Sequence, residues 1–318
     1  MNKITMDAVQ NAENTSEDSQ LIANVVSVVN DELINTMIEE VGKTSIEEKQ
    51  SLSAKVLKAI VDTEPSKIET ISEENKDTII KQTIESAQNQ QEGTGVQVIE
   101  DMTSIVSDII VNSNTETGSK MIEELNNSSS DKDNDLSFQV ISAISEKDTT
   151  KLNTLSENNK EQIEKLTETA IKNADASEES AQLIAKVVAV ASEELANKVV
   201  EEVSKISTDE KQTLSAQVLK AIVDTEPNKL DIIEDDVKDT MIKQTIESAQ
   251  NQQEGTGVQQ IQDMTSIVSD IIVNSSTETG SKMIEELNNS STNTDNNLSL
   301  QVISAISEKD TTKLNVLS

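Results

Sequence analysis

Residues 53–84, SAKVLKAIVDTEPSKIETISEENKDTIIKQTI, are answered by 137–168, SFQVISAISEKDTTKLNTLSENNKEQIEKLTE, with aliphatic and polar positions in matching order. A longer period encloses this one. Residues 81–156 return at 243–318 with nine of 76 positions changed, and the same 162-residue offset reaches backward: Leu21, Val25, Leu33 and Val41 answer Leu183, Val187, Leu195 and Val203. The chain reads as two 162-residue doublets, each of two modules, in A, B, A, B order. Module A1 spans 16–93, B1 94–176, A2 177–255 and a B2 that stops early 256–318, while residues 1–15 read as part of the closing helix of a preceding module. Catalysis needs one asymmetric constellation, whereas a spacer or a polymer gains from each added copy, so duplication points to mechanical or adhesive work.

Apolar spacing sets the fold class. From Asp18 to Val41, Leu21, Val25, Val29, Leu33 and Met37 fall on one helical stripe, which predicts a single long helix, repeated through 183–203. In the B modules the stripe meets Ser113, Asn114, Thr115 and Gly118, and again Gly280, so a break is expected there and only there. That difference in shape would make 162 the true period. Ser45 to Glu48 and Ser207 to Glu210 have the capping-box pattern, Pro65 and Pro227 open a short turn of helix, and Ser72 and Ser156 are expected N-caps of a closing helix. Period-two alternation is missing, and the fold class is all-α: a tandem helical repeat array, either an α-solenoid or a string of small helical bundles. Residues 144–163 resemble the short-helix, acidic-turn rhythm of α-solenoid modules in general, which implies an architecture and no activity.

Composition narrows the function. The chain has 26 basic and 59 acidic side chains, for a formal charge of −33, and every basic residue is lysine. Nucleic acid is excluded as a partner, since phosphate backbones need clustered cations and bases need aromatic platforms, and Phe138 is the one aromatic residue. Anionic membrane surfaces would repel it, and no apolar run is long enough for membrane insertion. Salt shortens the Debye length from about 8 Å to about 3 Å at 1 M and so relieves self-repulsion. An extracellular or cell-surface setting is therefore expected, although the start MNKITMDAVQ has no apolar signal-peptide core.

With neither His nor Cys, the common acid–base, nucleophilic and transition-metal chemistries lack their residues. A Ser53–Lys55 pair is excluded by helical spacing, because neighbours two apart point in different directions. The chain is read as no enzyme, and no catalytic, cofactor-binding or metal-ligating residue is nominated. Asp131 to Asp135 imitates half an EF-hand loop, but Leu136 stands where glycine is needed and Ser142 where a bidentate glutamate is needed. A solvated acidic loop is the preferred reading, with a calcium-stiffened linker as the weaker one. The acidic runs at Glu39, Glu178 and Glu234 read as solvated helix faces or first turns, and Met37, Met121 and Met283 as core filler.

The leading expectation is a structural segment of a large surface protein, a stalk, sheath or fibre component that assembles with itself head to tail or laterally. Residues 3–13 resemble 165–175, so this segment of one molecule is expected to close the open end of the next. The competing expectation is an adhesin or scaffold that holds a protein or glycan. It predicts apolar surface at matched sites in every module, which a spacer does not.

Overall fold

The computed structural model describes residues 2–45, 51–91, 102–128, 136–158, 160–174, 176–207, 213–253, 264–290 and 298–317. Among them lie eighteen α-helices and two 3-10 helices, and no strand. The chain is an all-α repeat array. It divides into two compact units, Met1–Asn173 and Ala174–Ser318.

The first unit contains α1 (Asn2–Asn11), α2 (Ser16–Val28), α3 (Asp31–Thr44), α4 (Leu52–Thr63), α5 (Glu73–Gln91), α6 (Met102–Asn112), α7 (Thr115–Ser128), α8 (Leu136–Lys147), α9 (Thr149–Asn158) and α10 (Lys160–Asn173). A 3-10 helix, Pro65–Thr70, joins α4 to α5. Alternate helices stack: α2 on α4, α4 on α6 and α6 on α8 form one layer, while α1, α3, α5, α7 and α10 follow one another in the second. The chain thus steps between two layers, and its building block is a helix pair.

The second unit repeats the plan with α11 (Glu178–Val190), α12 (Glu193–Ile206), α13 (Leu214–Thr225), a 3-10 helix at Pro227–Ile232, α14 (Asp235–Gln253), α15 (Met264–Asn274), α16 (Thr277–Ser290), α17 (Leu298–Lys309) and α18 (Thr311–Leu317). Its layers run α11, α13, α15, α17 and α12, α14, α16, α18.

A helix inside such a layer has neighbours on both sides, which explains a core without rings. In α4, packed between α2 and α6, nine of twelve residues are buried. Ile34, Ile38, Leu57 and Ile84 are wholly inaccessible, and each aliphatic side chain so buried contributes roughly 1.5–3 kcal/mol. Met37, Met121 and Met283 are buried as well.

Three sequence expectations need correction. The stripe from Asp18 to Val41 is two helices, because Asn30 ends the first and caps the second: its Oδ1 accepts from Leu33 N at 3.0 Å. Asn114, Ser192 and Ser276 do the same for Thr117, Leu195 and Thr279, so A and B modules break at the same place. The acidic residues just after Asn30 and Ser192 complement the new helix's N-terminal dipole and were the available signal. Gly118 and Gly280 are not the breakers; they lie inside α7 and α16. A Cβ on Gly280 would sit a tight 3.3 Å from Ile272 O and from Leu317 Cδ2, whereas one on Gly118 would meet Leu155 Cδ2 at an ordinary 3.4 Å.

The A and B modules differ one step later. Pro65 and Pro227 force the preceding residues, Glu64 and Glu226, out of helical conformation (φ −152° in both), and a 3-10 helix follows. The B counterparts are Thr149 and Thr311, and without proline the segment is the α-helix α9 or α18. Ser156 consequently lies within α9 and caps nothing, whereas Ser72 caps α5 as expected, accepting from Asn75 N at 3.4 Å. Glu48 and Glu210, the second halves of the expected capping boxes, lie outside the described residues. The hydroxyls of Ser45 and Ser207 accept from the backbone N–H groups of Ser53 and Ser215, at 2.8 and 2.9 Å.

Candidate functional surfaces

Four lysines perform one task. Lys67, Lys151, Lys229 and Lys313 donate to the carbonyls of Val29, Ser113, Ala191 and Ser275, at 3.5, 2.8, 2.9 and 2.6 Å, and in each case 38 residues separate the partners. Each carbonyl lies at the break between the first two helices of a module, where the last turn leaves acceptors unpaired and the helix dipole is negative. A cation from the next helix pair completes it. Burial pulls the Lys151 pKa below the usual lysine range against the opposing charge of Asp148.

Amides staple the A modules in the same manner. Asn35 donates to Thr70 O at 3.0 Å and accepts from Ser72 N at 2.5 Å, tying α3 to the connector ahead of α5; Asn197 repeats this with Ile232 and Glu234. Gln82 accepts from Ser53 Oγ at 2.6 Å and donates to Gly42 O at 2.8 Å, joining α3, α4 and α5 at one point. Gln244 does so with Ser215 and Ser204.

Ion pairs link neighbouring pairs on the outside. Lys120 on α7 bonds Glu73 and, at 2.7 Å, Asp77 on α5, and the nearly inaccessible Lys76 adds a 2.9 Å bond to Glu73. Lys120 and then Lys76 hold the Glu73 carboxyl down at about 2. In the second unit Lys282 pairs with Asp235 and Asp239, and Lys282 followed by Lys238 lowers Asp235 in the same way. Lys147 reaches Asp108 and Lys309 reaches Asp270, at 2.7 and 2.6 Å, joining α8 to α6 and α17 to α15. Glu73, Asp77, Asp235 and Asp239 are exposed and Asp108 and Asp270 half-buried, so each pair contributes little alone.

The residues weighed for chemistry are spent on this scaffolding. Ser53 is engaged by Gln82, while Lys55 donates to Asn14 O at 3.0 Å, so these two side chains are turned to different partners. Glu40, expected on a solvated face, is buried and accepts from Gln10 Nε2 at 2.7 Å. Glu178, Glu179, Asp235 and Asp236 occupy first turns. The loop at Asp131 to Asp135 lies outside the described residues, as does its counterpart at 293–297; among the described ones no group of carboxylates converges into a metal site. No described helix is long and apolar enough to cross a membrane.

Clefts among the described residues include two that face solvent. One of about 210 Å³ between α11 and α13 is lined by Glu178, Lys186, Lys220 and Asp224, and one of about 420 Å³ between α5 and α7 by Asp77, Lys81, Lys120 and Glu123. Lys220 is paired with Asp224, and Lys120 with Asp77. Their linings mix these paired charges with apolar side chains, Ala181 and Ala221 in the first and Ile80 in the second.

Exposed large apolar side chains among the described residues are confined to three helices: Leu21, Val25 and Val28 on α2, Leu300 and Ile303 on α17, and Val316 on α18. Spacings of four and three residues put the first three on one face. Sequence reading treated Leu21 and Val25 as core, because their apolar character does not tell which helix lacks a neighbour.

No protein family and no curated protein match the chain. Several solved structures are similar, two of them at 12% and 13% identity. The first, a crystal structure of an engineered protein, has a TM-score of 0.38 with 99% of this chain and 80% of that chain covered. The second belongs to a computational design of self-assembling cyclic homooligomers, with a TM-score of 0.17 and 97% and 98% covered. Neither likeness is close enough to carry an argument about this chain.

Proposed function

We propose that this chain is a structural spacer, a segment of a stalk, sheath or fibre at a cell surface or outside the cell, working through reach and self-association and performing no catalysis. The observation that carries the reading is where polar chemistry goes. The lysine staples recur at one fixed offset through all four modules, and each holds one helix pair to the next. An active site would be expected to break that regularity in one copy.

The alternative, an adhesin or scaffold holding a protein or glycan, calls for apolar surface at matched positions along the array. The positions matching Val25 and Ile303 are Val187 and Ile141, and both are 1% exposed. That distribution favours the spacer. Strong negative charge suits a saline exterior, where screening relieves repulsion between acidic segments.

Small-angle scattering of the monomer over a salt series tests this. The expected profile is that of an extended particle whose helical content and cross-section are unchanged by salt. A compact globule at every salt concentration contradicts the spacer reading.

A further inference from the structure

Helices α4 and α13 carry the same twelve residues at every position but one, which is Lys55 in the first and Gln217 in the second. The position is buried in both, 8% and 5% exposed. The Lys55 ammonium donates to Asn14 O at 3.0 Å. Gln217 puts an amide in its place, and the amide Oε1 is buried with no hydrogen-bond partner. A carbonyl in that state has given up water without gaining a donor, which costs stability and calls for an explanation where it occurs.

Gln217 lines the cleft of about 210 Å³ between α11 and α13, and every residue of that lining belongs to the second unit. In the first unit the matching groove is crossed by a bond from Gln20 Nε2 on α2 to Thr63 Oγ1 on α4, at 2.9 Å. The second unit is built differently. Glu178 stands where the first has Ser16, and Gln182, the match of Gln20, donates to that carboxylate at 3.3 Å along its own helix. Lys186 replaces Asn24 at the same cleft. Three changes therefore bring an amide acceptor, a carboxylate and a cation to one place, beside the Lys220–Asp224 pair that has its like in Lys58 and Asp62. Ala181 and Ala221 supply a short apolar wall.

We infer that this cleft binds a small zwitterion of the amino-acid type, its ammonium donating to Gln217 Oε1 in the place that a lysine ammonium holds in the first unit, and its carboxylate meeting Lys186. Glu178 adds negative charge on the ammonium side. The lining carries two carboxylates and two ammonium groups, so neither a plain anion nor a plain cation matches it, whereas a ligand bearing one charge of each sign does. Oε1 is covered as it stands, but the last torsion of a glutamine is broad and soft, so a ligand donor can draw it into the cleft. The inference goes beyond the spacer reading and does not depend on it.

The experiment is isothermal titration calorimetry of the whole chain with glycine, β-alanine and γ-aminobutyrate, whose ammonium and carboxylate groups lie successively further apart. Methylammonium and acetate, which carry one group each, are the controls, and spectra of nitrogen-labelled glutamine side-chain amides locate the site. At least one zwitterion is expected to bind with a dissociation constant of about 1 mM or tighter, to shift the Gln217 amide, and to bind about tenfold or more tightly than either control. Gln217→Lys and Lys186→Asn put back the residues found at Lys55 and Asn24, so each side chain is one that the array already accommodates. Circular dichroism checks that both variants keep their helix content. Each should weaken binding about tenfold or more. An absence of saturable binding, which leaves water alone in the cleft, overturns the inference. So does a variant that binds like wild type, a Gln217 amide that does not respond, or a control that binds as tightly as the zwitterions.

Discussion

Val25 and Val187 hold the same place in the repeat and differ in everything that surrounds them. One sits on a face with no neighbour and the other is sealed. Ile303 and Ile141 make the same contrast at the other end of the helix-pair order. By contrast, the lysine staples are alike in all four modules. Repetition therefore sets the bonds between adjacent pairs, whereas exposure at matched positions differs between copies.

The largest expected effect separates the two valines. A glutamate at Val187 places a charge in a sealed apolar site and should cost more than about 3 kcal/mol in urea melts. The same change at Val25 should stay within ~0.5 kcal/mol at dilute, monomeric concentrations. Next is the isoleucine pair: Ile141→Ala should cost about 2–5 kcal/mol and Ile303→Ala less than about 1 kcal/mol. Equal losses in either pair would show that the faces are not the unlike environments described above.

The staples sharpen the comparison by predicting equality. Lys151→Met and Lys313→Met each leave a carbonyl, of Ser113 or Ser275, without its cation, and both should cost about 1–2 kcal/mol in the melting of their own unit. The smallest effect is acidic. The folded-state pKa of Glu73, about 2, lies below the ordinary glutamate value of about 4.3, so its pairing stabilises fully above that value and fades as pH falls through about 2. The advantage of wild type over Glu73→Gln should be present at about pH 6 and largely gone near pH 2. An advantage that grows on acidification would contradict the pairing with Lys120 and Lys76.

Much of the fold was legible because helices announce themselves through apolar spacing and caps. The connector at Pro65, the N-cap at Ser72 and the buried face of Ile79, Ile80, Ile84 and Ala87 all follow from local rules. The break at Asn30 was hidden because valines run up to it and leucine and isoleucine resume after it, so the stripe looks continuous while the capping side chain ends it. Glycine misled for the opposite reason. Gly118 resembles a breaker, yet it lies inside α7, because Asn114 four residues earlier already caps that helix. The staples needed knowledge of which helix stacks on which, although the constant 38-residue interval from break to lysine was there to be read. Nothing in the order of letters distinguishes Val25 from Val187, because their difference lies in neighbours.

The chain has no cysteine of its own, so single cysteines at positions 25 and 187, and in a second pair at 303 and 141, report burial directly through thiol labelling rates. At concentrations where the chain is monomeric, labelling at 25 and 303 should be at least about tenfold faster than at 187 and 141, since the latter must await local opening. Matched rates within each pair would contradict the claim that matched positions of the repeat stand in unlike environments.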